Sequence, residues 1–371
     1  MRNEIMRDVR RAVIKLGSSL LVSLGTGLNK DSIYRLTEEL AWLKKRGRQI
    51  VMVSSGAIAA GMERLNIKKR PKTISELQAA AAIGQSTLMH VYEEAFAPWG
   101  LKVGQVLLTH EDMRERKRYI NSRNTLLTLL DMGVIPIINE NDSVVVEEIK
   151  FGDNDLLGAL VTSLVDADLL LILTDTEGLY DGEPQRGGKL ISLVKKVNKE
   201  VEEMAKGSQT EISIGGMVSK VGAAKLAARF GVPTVVTSGR AQGVLERVFT
   251  GELIGTLFLA HSEKLKGRKQ WIGFTLRPKG RLKLDRGAQK AIVKGGKSLL
   301  PSGIIAVDGD FGRGDPVSCL DPQGKELARG LVNYDSYELR KIMGQQSSQI
   351  EEVLGYKYTD EVIHRDNLVI L

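Results

Sequence analysis

The chain has 371 residues, of which 42% are hydrophobic and 26% charged, with a formal net charge of +8; this suits a globular protein of about two or three domains and excludes a disordered or collagenous one. Its single cysteine, Cys319, excludes an intrachain disulfide framework and fits a reducing compartment. The four scattered histidines argue against a structural zinc site, the longest apolar stretch, residues 156–173, is interrupted by Asp166 and Asp168 and so does not suit a membrane span, and the charged start MRNEIMRDVRR lacks the apolar core of a secretory signal.

The spacing predicts a buried strand over residues 12–16, carrying Lys15 and ending in Gly17-Ser18-Ser19. A lysine at the carboxyl end of a strand, beside a glycine turn, suits a phosphate; a core strand with a snorkelling lysine reads the same way in isolation. Residues 31–46 place Ile33, Leu36, Leu40 and Leu43 at helical spacing, with Asp31 as the expected cap and Gly47 as the stop. A second strand, QIVMV, runs into Ser54-Ser55-Gly56-Ala57-Ile58-Ala59-Ala60-Gly61. Small residues there serve either an anion at a helix N-terminus or tight helix packing.

A long helix is expected over 75–97, stopped by Pro98, then a strand over 101–108, a helix over 119–130 and a strand over 134–138. Residues 111–123, EDMRERKRYINSR, read as an exposed loop and helix start. Two polar clusters follow: Asn139-Glu140-Asn141-Asp142 at a strand end, and Asp153-Asn154-Asp155 before an apolar helix over 156–164. Such groups at the ends of core elements are costly without partners, and a cap accounts for only one of them. Carboxylates and amides here suit an ammonium group or the orientation of cationic side chains.

A strand over 169–173 ends at Thr174-Asp175, and Ile214-Gly215-Gly216-Met217-Val218-Ser219-Lys220 opens a helix reaching Phe230. A Gly-Gly turn into a helix with a lysine one turn in suits a phosphate chain, without being a Walker loop. Strands over 232–236 and 255–259 complete an alternation of helix and strand that predicts a doubly wound, mostly parallel sheet. Beyond residue 261 come five short strands separated by Gly, Pro and Asp turns, predicting a small β-rich domain with one or two helices. Residues 261–300 hold 12 Lys and Arg against 2 Asp and Glu. That run suits a polyanion or a solvated linker and surface face.

In this order, KLGSS, VSSGAIAAG, INENDSV, FGDNDLLGALV, LTDTEGLYD and GGMVSK resemble the amino acid kinase family over residues 10–260. GRLKLDRGAQKAIVKGGKSLLPSGI and EVIHRDNLVIL resemble a PUA domain, which binds RNA in other proteins. The resemblance implies a kinase domain over 1–260, a linker over 261–277 and a PUA-like domain over 278–371. The branch of the family with this tail transfers the ATP γ-phosphate to the side-chain carboxylate of L-glutamate, giving glutamyl 5-phosphate for proline synthesis. It implies Mg2+ with ATP, a homodimer or homotetramer in the cytoplasm, and inhibition by proline. Carried onto this sequence, Lys15, Lys220 and Asp155 are catalytic, with Asp155 holding both lysines. Ser55, Asn139, Asp142 and Asn154 bind glutamate. Lys15, Thr174, Asp175 and Ile214, Gly215, Gly216, Met217, Val218, Ser219 and Lys220 bind ATP. Ser213-Ile214 stands where the family has Gly-Thr, which removes a hydroxyl contact to the phosphates and leaves backbone N–H contacts. Two rivals remain: a family member acting on aspartate, acetylglutamate or a nucleotide, and an RNA-binding or RNA-modifying protein that uses the basic tail.

Overall fold

The computed structural model describes residues 1–23, 27–144, 154–207, 216–260, 272–273 and 276–371. The chain divides into two compact units, Met1–Lys264 and Leu265–Leu371. The strands of the first are β1 (Arg11–Leu16), β2 (Gln49–Val53), β3 (Val103–Leu108), β4 (Ile135–Glu140), β5 (Leu169–Thr174), β6 (Leu193–Val194), β7 (Thr234–Ser238) and β8 (Thr256–Phe258). Their order across the sheet is β3-β4-β2-β1-β5-β7-β8-β6. The pairings from β3 to β7 are all parallel; β8 runs antiparallel to β7, and β6 runs parallel to β8. The mostly parallel sheet expected from the alternation is thus present, with two short reversed strands at one edge.

The helices are α1 (Arg2–Asp8), α2 (Ser18–Leu21), α3 (Lys30–Lys45), α4 (Ala57–Arg64), α5 (Ile74–Phe96), α6 (His110–Arg114), α7 (Arg116–Asp131), α8 (Asn154–Leu164), α9 (Lys199–Gly207), α10 (Met217–Arg229) and α11 (Val244–Phe249). Successive strand residues point to opposite faces. Ala12, Ile14 and Leu16 of β1 therefore join a core built with α1 to α5 and α11, whereas Val13 and Lys15 face the side covered by α7, α8 and α10. Burial on both faces explains why these strands read as unbroken apolar runs. No described helix is long and apolar enough to cross a membrane.

Three local expectations are corrected. The cap of α3 is Asn29, whose side chain accepts from the Ser32 N–H at 3.1 Å; Asp31 lies inside the first turn, where its charge suits the helix dipole. Residues 111–123 are mostly helical, shared between α6 and α7, and among them Arg118 pairs with Asp112 and Glu115. Asn154 and Asp155 lie inside α8 and do not precede it. Of the two roles left open for the small residues after β2, tight packing is seen at Gly61, while Gly56 meets a backbone demand of the turn. Gly56 adopts φ +103 at the turn, where a side chain would be strained. Gly61 packs so closely on α5 that a Cβ would stand 1.8 Å from the Ala80 carbonyl oxygen.

The second unit contains β9 (Gly280–Leu284), β10 (Ile304–Asp308), β11 (Pro316–Leu320), β12 (Glu326–Leu331) and β13 (Leu368–Ile370), in the order β10-β9-β11-β12-β13. Among the described residues they are accompanied by α12 (Arg286–Val293), α13 (Ser336–Ile342) and α14 (Ile350–Leu354). Leu282, Val317, Cys319, Ala328, Tyr334 and Ile342 are among its core residues. Burial pushes the Cys319 thiol up to about 12, so it acts as a small apolar side chain and not as a nucleophile.

Candidate active site

The carboxyl ends of β1, β2, β4 and β5 lie together where the chain leaves β1 in opposite directions across the sheet, the place where open α/β sheets bind ligands. Lys15 is the fifth residue of β1, paired in register with Val53 on one side and Ile172 on the other. Gly158 of α8 lies over its methylene stem, and its ammonium pairs with Oδ1 of Asp155. The other carboxylate oxygen, Oδ2, accepts from Lys220 Nζ at 3.3 Å and from Ser219 Oγ at 2.8 Å. Lys15, Asp155 and Lys220 are 5%, 0% and 7% exposed. Residues 140 and 65 positions apart from Asp155 therefore converge on one buried carboxylate. Burial by itself raises the Asp155 pKa; Lys15 and then Lys220, with hydrogen bonds from Lys15 and Ser219, outweigh it and hold the carboxyl below its ordinary range.

Beside this cluster runs a chain of amides. Asn154 Nδ2 donates to the Ser54 carbonyl oxygen (2.8 Å), Ser55 Oγ (2.8 Å) and Asn139 Oδ1 (3.1 Å). The Glu140 N–H donates to the same Asn139 oxygen at 2.9 Å, and Asn139 Nδ2 donates to Gln85 Oε1 at 2.9 Å. Ser55, Asn139 and Asn154, all expected at the site, are thus brought into direct contact. Asp142 stands in the turn after β4. Burial, reinforced by Glu140 and opposed by Arg70, pushes its pKa up to about 6.

Thr174 closes β5; its hydroxyl donates to Asp175 Oδ1 at 3.1 Å and its carbonyl accepts from the Gly239 N–H at 2.8 Å. Gly216 caps α10, with open space where a Cβ would be, and Met217, Val218, Ser219 and Lys220 form the first turn of that helix. Ile214 and Gly215 lie outside the described residues, as does most of the expected linker. In the tail, Lys279 pairs with Asp315 (2.8 Å) and Arg281 with Asp308 (3.9 Å), so part of its basic charge is matched within the unit.

Sequence reasoning did not mark Gln85 or Tyr92, and named Ser54 only as part of the turn after β2, yet all three belong to the network; the Ser54 and Tyr92 hydroxyls are 2.7 Å apart. A signal existed: Ala81, Gln85, Leu88 and Tyr92 follow helical spacing along one buried face of α5. A glutamine in that apolar stripe needs a polar partner.

Two comparisons bear on this arrangement. The amino acid kinase family profile matches residues 10–238, and the PUA domain profile matches residues 280–354. Among curated proteins, the chain is 52% identical to the glutamate 5-kinase of Geobacter sulfurreducens, covering 100% of both chains. It is 53% identical to that of Geobacter metallireducens, again over 100% of both. To that of Nitrosospira multiformis it is 52% identical over 99% of each.

Proposed function

Because the chain belongs to the amino acid kinase family and resembles glutamate 5-kinases over its whole length, we infer that it transfers the γ-phosphoryl group of ATP to the side-chain carboxylate of L-glutamate, the first step of proline biosynthesis. The observation that carries the mechanism is the convergence of Lys15 and Lys220 on the buried Asp155. The acceptor carboxylate is already ionised at neutral pH, so the reaction needs no general base. One of its oxygens forms a bond to the γ-phosphorus; the bond to the bridging oxygen breaks, and its electron pair leaves with ADP. Such a transfer depends on positioning and on neutralising charge. Lys15 and Lys220 neutralise the transferring group and the leaving oxygen, and Asp155 fixes both ammonium groups before substrates arrive. Ser55, Asn139, Asp142 and Asn154 receive glutamate. Thr174, Asp175 and the turn from Ile214 to Lys220 receive the nucleotide.

Mg2+ takes most of its ligands from phosphate and water in such sites and supplies further neutralisation of the ATP phosphates. Both oxygens of Asp155 are engaged by the lysines and Ser219. Asp175, exposed after β5 among the residues read for the nucleotide, would hold the ATP–magnesium complex there. A homodimer or homotetramer, a cytoplasmic location and inhibition by proline enter this reading through the family resemblance. RNA binding by the tail enters this reading through its PUA likeness and its basic composition.

The deciding assay is ADP release with and without L-glutamate, with hydroxylamine added to trap the acyl phosphate. Release independent of glutamate, or faster with aspartate, acetylglutamate or a nucleoside monophosphate, would reject this substrate. Asp142 adds a pH signature. Its folded-state pKa lies near 6, so its carboxylate is ionised above that pH and protonated below it. If it pairs the substrate ammonium, the KM for glutamate rises as pH falls through about 6, while the KM for ATP does not follow. Asp142→Ala should raise the glutamate KM and flatten this profile, truncation of such a pair costing roughly 2–5 kcal/mol. An effect confined to ATP would move Asp142 to the other half of the site.

The assigned groups all lie before residue 221. A truncation ending near His261 is therefore expected to melt cooperatively and to keep glutamate-dependent ADP release, since few contacts cross a polar domain boundary. A folded but inactive truncation would show that the second unit completes the site or a required oligomer.

A further inference from the structure

The amide chain beside Asp155 has a polarity fixed from both ends by backbone groups. At one end, a carbonyl oxygen of Ser54 can only accept, so the Asn154 amide must turn its Nδ2 towards it. At the other, the Glu140 N–H can only donate, so Asn139 must turn its Oδ1 there. The Asn139 Nδ2 then faces Gln85, which must present Oε1. With these three orientations fixed, one donor and one acceptor are left over. Gln85 Nε2 and Asn154 Oδ1 are both buried and without a hydrogen-bond partner among the described residues. An unsatisfied buried amide group costs about 1–3 kcal/mol, and polar groups left so in a native fold call for an explanation.

Gln85 is 8% exposed and is held in place by its neighbour. A Cβ on Gly84 would stand 1.8 Å from the Ala57 carbonyl oxygen, so α5 meets the start of α4 at this point, directly after the Ser54-Ser55-Gly56 turn. Asn154 adjoins Asp155 and the two lysines; Gln85 lies at the opposite end of the relay, beyond Asn139. A substrate whose side-chain carboxylate is phosphorylated at the lysine end carries its α-carboxylate and α-ammonium away from that end. The leftover donor at that far end, Gln85 Nε2, matches the first group.

We propose that Gln85 is a specificity-determining residue that donates from Nε2 to the α-carboxylate of the amino-acid substrate. The proposal rests on the glutamate reading given above. Gln85→Glu keeps an oxygen to accept from Asn139 and replaces the amide donor with a second oxygen, which repels the α-carboxylate when ionised. A residue that merely held Asn139 would change stability or overall turnover but not the ratio between two substrates that differ only at the α-carboxylate. The comparison substrate is the α-amide of L-glutamate, which keeps the side-chain carboxylate and replaces the α-carboxylate with a donor-bearing group.

The ratio of kcat/KM for L-glutamate to that for its α-amide is measured in the wild-type chain and in Gln85→Glu, with a thermal melt of each. The ratio is expected to fall about 10- to 100-fold, the range for a hydrogen bond to a charged group, with the KM for ATP little changed. Gln85→Met, which removes donor and acceptor together, provides the same readout should the first variant not fold, and it too should lower the ratio. Wild-type activity with an unchanged ratio in the folded variants overturns the role of Gln85 and leaves the glutamate reading standing. Absence of glutamate-dependent activity in the wild-type chain overturns that reading, and the proposal with it.

Discussion

Lys15→Ala and Lys220→Ala should each lower kcat by about two to three orders of magnitude, the effect of removing one preorganised charge contact worth roughly 2.7–4 kcal/mol in the transition state. Each lysine reaches the site from a different element, one from the central strand β1 and one from the first turn of α10. Neither can stand in for the other, because each pairs with its own oxygen of Asp155. The KM for ATP should change less than kcat, since charge on the transferring group and the leaving oxygen is greatest in the transition state. Steady-state kinetics of both variants, with ATP and glutamate varied in turn, is the measurement. Turnover within a few-fold of wild type in either variant removes that lysine from the mechanism.

Asp155→Ala should fail in a second way as well. Its carboxylate balances two ammonium groups that are both nearly buried, and stripping one side from a buried ion pair typically destabilises by about 3–5 kcal/mol. In a unit of this size that corresponds to a melting point lower by about 2–4 °C for each kcal/mol. The pH dependence has a definite sign. The folded-state pKa of Asp155 is depressed, so its contribution is present above the ordinary carboxylate pKa of about 3.9 and is lost as pH falls through the lower folded value. The melting difference between wild type and Asp155→Ala should therefore be full at neutral pH and shrink in strong acid. An unchanged melt at pH 7 would mean that the lysines find other counter-charges.

Most strands of the first sheet and its mostly parallel character are legible in the sequence, because a strand buried on both faces must be apolar and must end in a turn, whereas the order of the strands across the sheet is not. Lys15, Asn139, Asn154 and Asp155 are legible for the converse reason: polar groups at the ends of apolar elements are expensive unless something uses them. What escapes is decided at longer range. The two-residue strand β6 and the short helices α9 and α11 are too brief to show a period. Asn29 and Asp31 are both acceptable caps, and only the backbone conformation at the start of α3 chooses between them. Gln85 sits 54 residues from its partner Asn139, so no local pattern connects the two. Its role follows from the close contact of α5 with the start of α4.

The pairing of β1 on both sides has a consequence for how this sequence can change. Side chains along a strand alternate with a period of two, so a slip of one residue exchanges the two faces of the sheet. At present Ala12, Ile14 and Leu16 fill the apolar core while Lys15 points to the opposite side, under α8. A single inserted or deleted residue within β1 would drive the lysine into that core and turn leucine and isoleucine towards Asp155. The chain would lose a stabilising face and a reacting group in one event. Insertions between strands, by contrast, leave this alternation untouched. Tolerance to length variation should therefore drop sharply at Arg11 and recover after Leu16, a boundary that a scan of single-codon insertions, scored by proline prototrophy, would draw directly.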